Sequence, residues 1–259
     1  MALNGGVRGI AAPAVFGVGF LLFWEGLVKV FDLKPYFLAA PSKILDQFFS
    51  NFSFIRQAST VSGTNAFIGL VIGTVFGVLM SFVLSRYRIL NQLITPLAVA
   101  LNAIPIFVLV AVLNNMFSIT SEIPRQIMAT LVVYFIVLVN VSKGLTQVRS
   151  THIELMRSLA ATDGAILRKV RIPNALPYLF TSLKIAAPVS VITAFVSEYF
   201  GGSQNGLGSR IASNIANSKN ASAWAYVLGA CLLGLLFYGV STMLENVASR
   251  GVVRDNNNM

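Results

Sequence analysis

The chain has 259 residues, of which 56% are hydrophobic and only 11% are charged, where an ordinary soluble domain carries about a quarter charged residues. Water is therefore the wrong solvent for most of it. The formal net charge of +10 would suit a nucleic-acid binder only if the basic residues gathered on one polar face; here they sit between long apolar runs, as membrane-flanking lysines and arginines do, so no nucleic-acid partner is expected.

A bilayer core takes about 20 mostly apolar residues per helix, and six segments approach that length: 10–30, 63–84, 93–113, 126–141, 179–200 and 224–244. The expected fold is an all-α, polytopic membrane bundle forming one domain over residues 1–259. The first run lacks a small-residue cleavage site and stays apolar beyond signal-peptide length, so it reads as a retained transmembrane helix. Residues 34–62 are too polar to span, and Pro41-Ser42 followed by Ile44, Leu45, Phe48 and Phe49 reads as a cap and a short amphipathic helix at the interface. The second segment carries Gly69, Gly73, Gly77, Ser81 and Ser85 at a strict spacing of four, a small-residue face that permits close backbone approach, within the chain or between two copies. Midway in the third, Asn102 and Pro105 are candidates for lining a path, because a proline frees a carbonyl that tolerates the membrane only beside protein or water. In the fifth, Lys184 is placed to snorkel to the nearer interface. Glu25 and Glu198 both fall near the outer ends of their spans, where water or a docked partner is expected to reach them, and Glu198 is a further path candidate.

The positive-inside rule sets the orientation. The short connection Arg86-Tyr87-Arg88 and the basic loop 143–177 both belong on the cytoplasmic side, which places both termini inside.

Chemistry of the catalytic kind has no constellation to stand on. His152 is the single histidine and Cys231 the single cysteine, so neither a histidine cluster nor a thiolate metal site can be assembled and no metal is expected. There is no Gly-x-x-x-x-Gly-Lys-[Ser/Thr] phosphate loop. Gly201-Gly-Ser-Gln204 is faintly similar to the signature of ABC ATPases, but it follows a membrane span on the outer side and is set aside.

The loop from Glu154 to Pro177 is the most informative stretch. It reads as two amphipathic helices broken at Thr162-Asp163-Gly164, with Thr162 or Asp163 capping the second and Pro173 helping to end it. Such an elbow is suited to docking into a groove on a partner. It resembles the EAA motif of binding-protein-dependent ABC importer permeases: a glutamate, a glycine six residues later and an Ile-x-Leu-Pro ending, matched by Glu154, Val170, Ile172 and Pro173. Asn174-Ala-Leu-Pro177 extends the match in the manner of the nitrate, taurine and sulfonate branch. The motif's two alanines are Leu155 and Met156 here, and its glycine is Ala160. Alanine lacks easy access to positive φ, so the turn is expected to be ordinary at Ala160, with Gly164 as the flexible point. Trp24-Glu25, Ala40-Pro41-Ser42, Ala103-Ile104-Pro105, Phe117–Glu122, Glu198 and Gly206-Leu-Gly208 stand in the order of the same branch.

The resemblance implies a type I importer permease fold in the bacterial cytoplasmic membrane, with no catalytic residue and no cofactor on this chain. ATP and Mg would be bound by partner ATPase subunits, onto which an elbow built from Glu154, Arg157, Ala160, Ala161, Thr162, Asp163, Gly164, Pro173 and Pro177 docks. It further implies an extracytoplasmic binding protein, two copies of this chain in the bilayer, and a small solute of the nitrate, sulfonate, taurine or vitamin and pyrimidine-precursor kind. A stand-alone secondary transporter or channel is the alternative, but it would place paired ionisable groups deep in several spans, and the span centres here are nearly free of charge.

Overall fold

The computed structural model describes residues 5–87, 106–118, 120–202 and 205–256, and among these every regular element is helical. In chain order α1 is Gly5–Val30, α2 Pro41–Ser50, α3 Phe52–Arg86, α4 Ile106–Met116, α5 Ile123–Thr146, α6 Ser150–Ser158 and α7 Asp163–Ile166; a π-helical turn, Leu167–Arg171, leads into α8 Ile172–Gly201, followed by α9 Leu207–Ala216 and α10 Asn220–Asn256. Five of the described helices are long and apolar enough to cross a membrane: α1, α3, α5, α8 with the turn before it, and α10. The greater part of the third expected span, 93–105, lies outside the described residues, and with it Asn102 and Pro105; α4 is its described end.

The helices outrun the apolar segments. At 1.5 Å per residue the 35 residues of α3 reach about 52 Å, against a hydrocarbon thickness of about 30 Å. Its first turns come from the stretch 34–62 that polarity marked as non-spanning. Ser53, Arg56, Gln57 and Thr60 of those turns are exposed, whereas Ser62 and, three residues on, Asn65 are buried. The fourth span shows the same effect, because α5 begins at Ile123, three residues before the expected start, and takes in Arg125, which is only 1% exposed.

The bundle centre is α5, clasped between α3 and α8. A Cβ added at Gly69 would land on Ala129, one at Gly73 would lie 2.6 Å from the Thr130 carbonyl oxygen, and one at Gly77 2.9 Å from Val137 Cβ. The stripe therefore packs inside the subunit, where the two backbones come close enough for the Ser81 hydroxyl to donate to the Leu138 carbonyl at 3.2 Å. Val133, Val137, Val141 and Leu145 of α5 continue the seam against Ala175 and Ala186 of α8. At one end of the bundle Phe48, Ile55, Leu207, Ile211 and Tyr226 bring α2, α3, α9 and α10 into a second apolar cluster.

Helix α1 stands at the edge, with Phe16, Leu22 and Phe23 exposed as a lipid-facing helix requires. Two contacts hold it. The Glu25 carboxylate accepts from the Ser42 amide at 3.0 Å and the Ser42 hydroxyl at 2.8 Å, and Trp24 meets Trp224 edge to face at 5.6 Å. The N-cap of α2 is Ala40 with Pro41 at the first helical position, and it is Glu25 from another helix that satisfies the Ser42 donor. The expected cap at Pro41-Ser42 is thus corrected to Ala40, with Pro41 and Ser42 already inside the helix.

Candidate functional site

At one end of the bundle the chain leaves α5, makes an elbow, and returns as α8. The base of the elbow is pinched shut. A Cβ at Gly144 would lie 2.8 Å from both Ala175 Cα and the Tyr178 ring, and the Asn174 amide donates to the Gly144 carbonyl at 2.7 Å and the Gln147 carbonyl at 3.4 Å. Asn174 thus fastens the exit of the elbow to its entry. The elbow itself is bare: α6 has no buried residue, Glu154, Arg157, Ala160, Thr162, Asp163 and Gly164 are exposed, and Ala161 is half-buried. Leu155 and Leu159 are 60% and 70% exposed.

The turn in the elbow differs from the expected one. Ala160 has φ 52°, in the left-handed region. Its amide donates to the Arg157 carbonyl at 2.9 Å and the Ala161 amide to the Met156 carbonyl at 3.0 Å, the paired bonds of a Schellman C-terminus with Ala160 in the position that glycine usually fills. The two reaching carbonyls would otherwise lack partners at the end of α6, and meeting that need outweighs the alanine's steric cost. Gly164 carries no such burden. It is an ordinary residue in the first turn of α7, and a Cβ there would meet only Thr162 Oγ1, at 4.0 Å. Thr162 is the cap, its hydroxyl accepting from the Ala165 amide at 3.3 Å.

Nor does Pro173 end the second helix. From Asp163 the chain runs through the π turn into α8 without a break, Pro173 standing in the first turn of α8 and Pro177 inside it, both exposed. Proline removes one amide donor and crowds the carbonyl four residues earlier. The wider turn, in which the Ile172 amide donates to the Leu167 carbonyl five residues back, accommodates the ring where an α-helix would clash. The second half of the elbow and the membrane helix are thereby one continuous helix from Asp163 to Gly201.

The other end holds a buried polar knot. Glu198, on the last turn of α8, is 0% exposed and not within reach of water as its position in the sequence suggested. Its Oε2 accepts from the Ser62 hydroxyl at 2.6 Å and the Gly208 amide at 3.1 Å, while Ser62 Oγ accepts from the Leu207 amide at 2.9 Å. The first two amides of α9 are thus satisfied by side chains of α3 and α8. A Cβ at Gly206 would collide with the Glu198 carboxyl group and one at Gly208 with the Phe195 carbonyl. Beside the knot, the Asn65 amide donates to Glu122 at 2.7 Å, the Gln126 amide donates to Asn65 at 3.1 Å, and Arg125 lies 3.8 Å from Glu122 and donates to the Ser121 carbonyl. The Asn114 amide donates to the Gly201 carbonyl at 3.1 Å and draws α4 into the same region.

Ser62, Asn65, Arg125 and Gly144 were not singled out from the sequence, and Asn174 entered only as part of the family match, not as the residue that closes the elbow. Ser62 and Asn65 carried a signal, two polar residues one helical turn apart at the edge of an apolar run. Arg125 carried a misleading one, since a cation beside a span reads as a solvent-facing flank. Lys184, expected to snorkel, is paired with Glu245 at 3.2 Å and lies 5.7 Å from the centre of the Tyr238 ring.

A family model described as "Binding-protein-dependent transport system inner membrane component" matches residues 73–250. A probable ABC transporter permease protein of Haemophilus influenzae is 29% identical over 188 residues, 73% of this chain and 76% of that one. The formylaminopyrimidine transport permease protein ThiX of Halalkalibacterium halodurans is 27% identical over 91% of this chain and 93% of its own. The bicarbonate transport system permease protein CmpB of a Synechocystis strain is 23% identical over 74% of this chain and 72% of its own. Among solved structures, a chain of the MetNI methionine ABC transporter in an inward-facing conformation superposes with a TM-score of 0.60 at 19% identity, covering 76% of this chain and 94% of that one.

Proposed function

Because the chain belongs to the family of inner membrane components of binding-protein-dependent transport systems, and so is the multi-pass permease subunit of an ABC importer, we propose that its elbow is the part that receives the stroke of a separate ATPase. The observation that carries this reading is the combination of a bare α6, with Leu155 and Leu159 turned outward, and an unbroken helix from Asp163 to Gly201. A displacement of the elbow is transmitted along α8 to Glu198 and the α9 clasp at the far end. ATP and Mg bind to the ATPase, and this chain contributes contact and leverage.

Two copies of the chain form the path, since one elbow serves one ATPase subunit, and an external binding protein presents the solute. The elbow end faces the cytoplasm, with both termini on that side. The solute is small, in the range from inorganic anions and sulfonates to vitamin or pyrimidine precursors; the formylaminopyrimidine and bicarbonate permeases among the relatives support that range without choosing within it.

Affinity purification of the tagged chain from native membranes, followed by native mass spectrometry, tests the assembly. Two permease chains with two ATPase chains are expected. A monomeric permease that moves solute down an ion gradient in vesicles, with no ATPase retained, would overturn the reading in favour of a secondary transporter.

A further inference from the structure

Between the elbow and the end of α3 lies a cleft of about 490 Å³, bordered in part by the elbow residues Arg157, Asp163 and Gly164. Arg86 comes to it from the last turn of α3, Arg157 from α6 and Arg171 from the π turn; Asp163 is the one acid in its lining, and Phe82 and Leu167 form part of its floor. Asp163 lies 3.5 Å from Arg86 Nη1 and holds that guanidinium at the rim. Three guanidinium groups against one carboxylate leave the cleft with an excess of positive charge. Planar forks with several donors each are suited to phosphate oxygens in a way that single ammonium groups are not.

A second feature says where such a phosphate would come from. Directly along α3 from Arg86 runs an apolar groove of about 470 Å³ lined by Phe76, Leu79, Met80, Val83, Leu131 and Tyr134. Leu79, Val83 and Arg86 are spaced four and three residues apart, so they share one face of α3, and Leu79 lies about 10 Å further into the bundle than Arg86. A charged cleft at the end of the helix, with a separate apolar groove beginning about one turn further in at Val83, has the polarity of a phospholipid and not of a soluble phosphate.

We propose that the cleft binds the headgroup of an anionic phospholipid from the leaflet on the elbow side, with an acyl chain lying along the α3–α5 groove. The bound lipid ties the elbow to the membrane surface through Arg86 and Arg171, so its occupancy sets how freely the elbow follows a docked partner. The assignment to the cytoplasmic leaflet rests on the orientation given above; the binding itself does not.

Native mass spectrometry of the full-length chain in detergent tests it, with phosphatidylglycerol, phosphatidylcholine and glycerol 1-phosphate as probes. One phosphatidylglycerol per chain should survive activation that strips phosphatidylcholine. The double substitution R86Q/R171Q should weaken phosphatidylglycerol binding roughly 30-fold, from about one arginine-equivalent of surface attraction each. R56Q, which removes a cation lining a different pocket, should leave it unchanged. V83N, which puts an amide in the groove and leaves all three arginines, should weaken phosphatidylglycerol binding without changing glycerol 1-phosphate binding. Equal retention of the two lipids, no loss in R86Q/R171Q, or glycerol 1-phosphate binding as tightly as the lipid would each overturn the proposal. Detergent has no sides, so these outcomes are independent of orientation. Labelling of D163C, in a C231S background, by an impermeant reagent outside intact cells would move the site to the other leaflet and overturn the orientation alone.

Discussion

The two ends of α8 are built on opposite principles. At the far end, Glu198, Ser62, Leu207 and Gly208 exchange hydrogen bonds among three helices with no water in reach. At the elbow end, α6 buries nothing and ends in a left-handed alanine. A buried polar knot in a low-dielectric setting has one good arrangement and resists change. An exposed helix with apolar side chains turned outward has its geometry completed by what it meets. A helix fixed at one end and open at the other can carry a movement from the second to the first.

The largest expected effect comes from breaking the fixed end. Glu198→Leu leaves the Gly208 amide and the Ser62 hydroxyl without their acceptor, at about 1–3 kcal/mol for each buried orphan. For the two orphans together the purified protein should lose about 2–6 kcal/mol of stability, read as thermal unfolding in detergent. Glu198→Gln keeps a carbonyl acceptor in place and should lose less. Equal losses in the two variants would mean that the side chain acts through its volume and not through the bonds described.

At the open end, Ala160→Asp should leave the chain folded and cost association. Aspartate tolerates the left-handed region better than most residues, so the turn survives; the new charge lies on the proposed docking surface, where an unpaired charge would cost a few kcal/mol, on the order of a hundredfold in affinity. Co-purification of the ATPase is the measurement. Wild-type retention would remove Ala160 from the contact.

Much of this contrast was legible in the sequence, and the exceptions have physical reasons. Each of the five membrane-length helices among the described residues overlaps one of the six apolar segments, with different ends, and the glycine spacing marked a small-residue face without saying whether it packs inside the chain or between copies. Local chemistry gave the break at 162–164 and the choice of Thr162 or Asp163 as cap, which the structure resolves to Thr162. What sequence misplaced were effects of tertiary satisfaction. Arg125 and Glu198 look like flanking charges, yet both are buried, because partners such as Ser62 lie more than a hundred residues away in the chain for Glu198, and no local pattern carries that information. Pro173 looks like a helix end, but a π turn absorbs its ring. Asn102 and Pro105 lie outside the described residues.

A smaller effect separates the two glycine populations. Gly73→Ala should destabilise the chain by about 1–3 kcal/mol through overpacking, because its Cβ would meet the Thr130 backbone oxygen at 2.6 Å; the gain of up to about 1 kcal/mol from better helix propensity offsets part of that. Gly164→Ala meets no such obstacle within the chain, so it should be neutral or slightly stabilising in detergent. Thermal unfolding of the pair decides whether the close approach at Gly73 is what makes the two glycines differ.

The smallest effect has the least ambiguous sign. Ala160→Gly restores the residue that the Schellman position favours, and it relieves a left-handed alanine that costs about 1–2 kcal/mol. Glycine also loses more backbone entropy on folding, about 0.5–1 kcal/mol, so the net gain is of order 1 kcal/mol or less. It should appear locally. The Ala161 amide, bonded to the Met156 carbonyl, reports the turn directly, and its hydrogen exchange should slow by up to about fivefold while the Leu207 and Gly208 amides at the far end stay unchanged. An alanine in an ordinary helical turn would give the opposite sign, since glycine would then loosen it. Faster exchange at Ala161 in the glycine variant would show that residue 160 is not left-handed, and the elbow would then need a different account of how it turns.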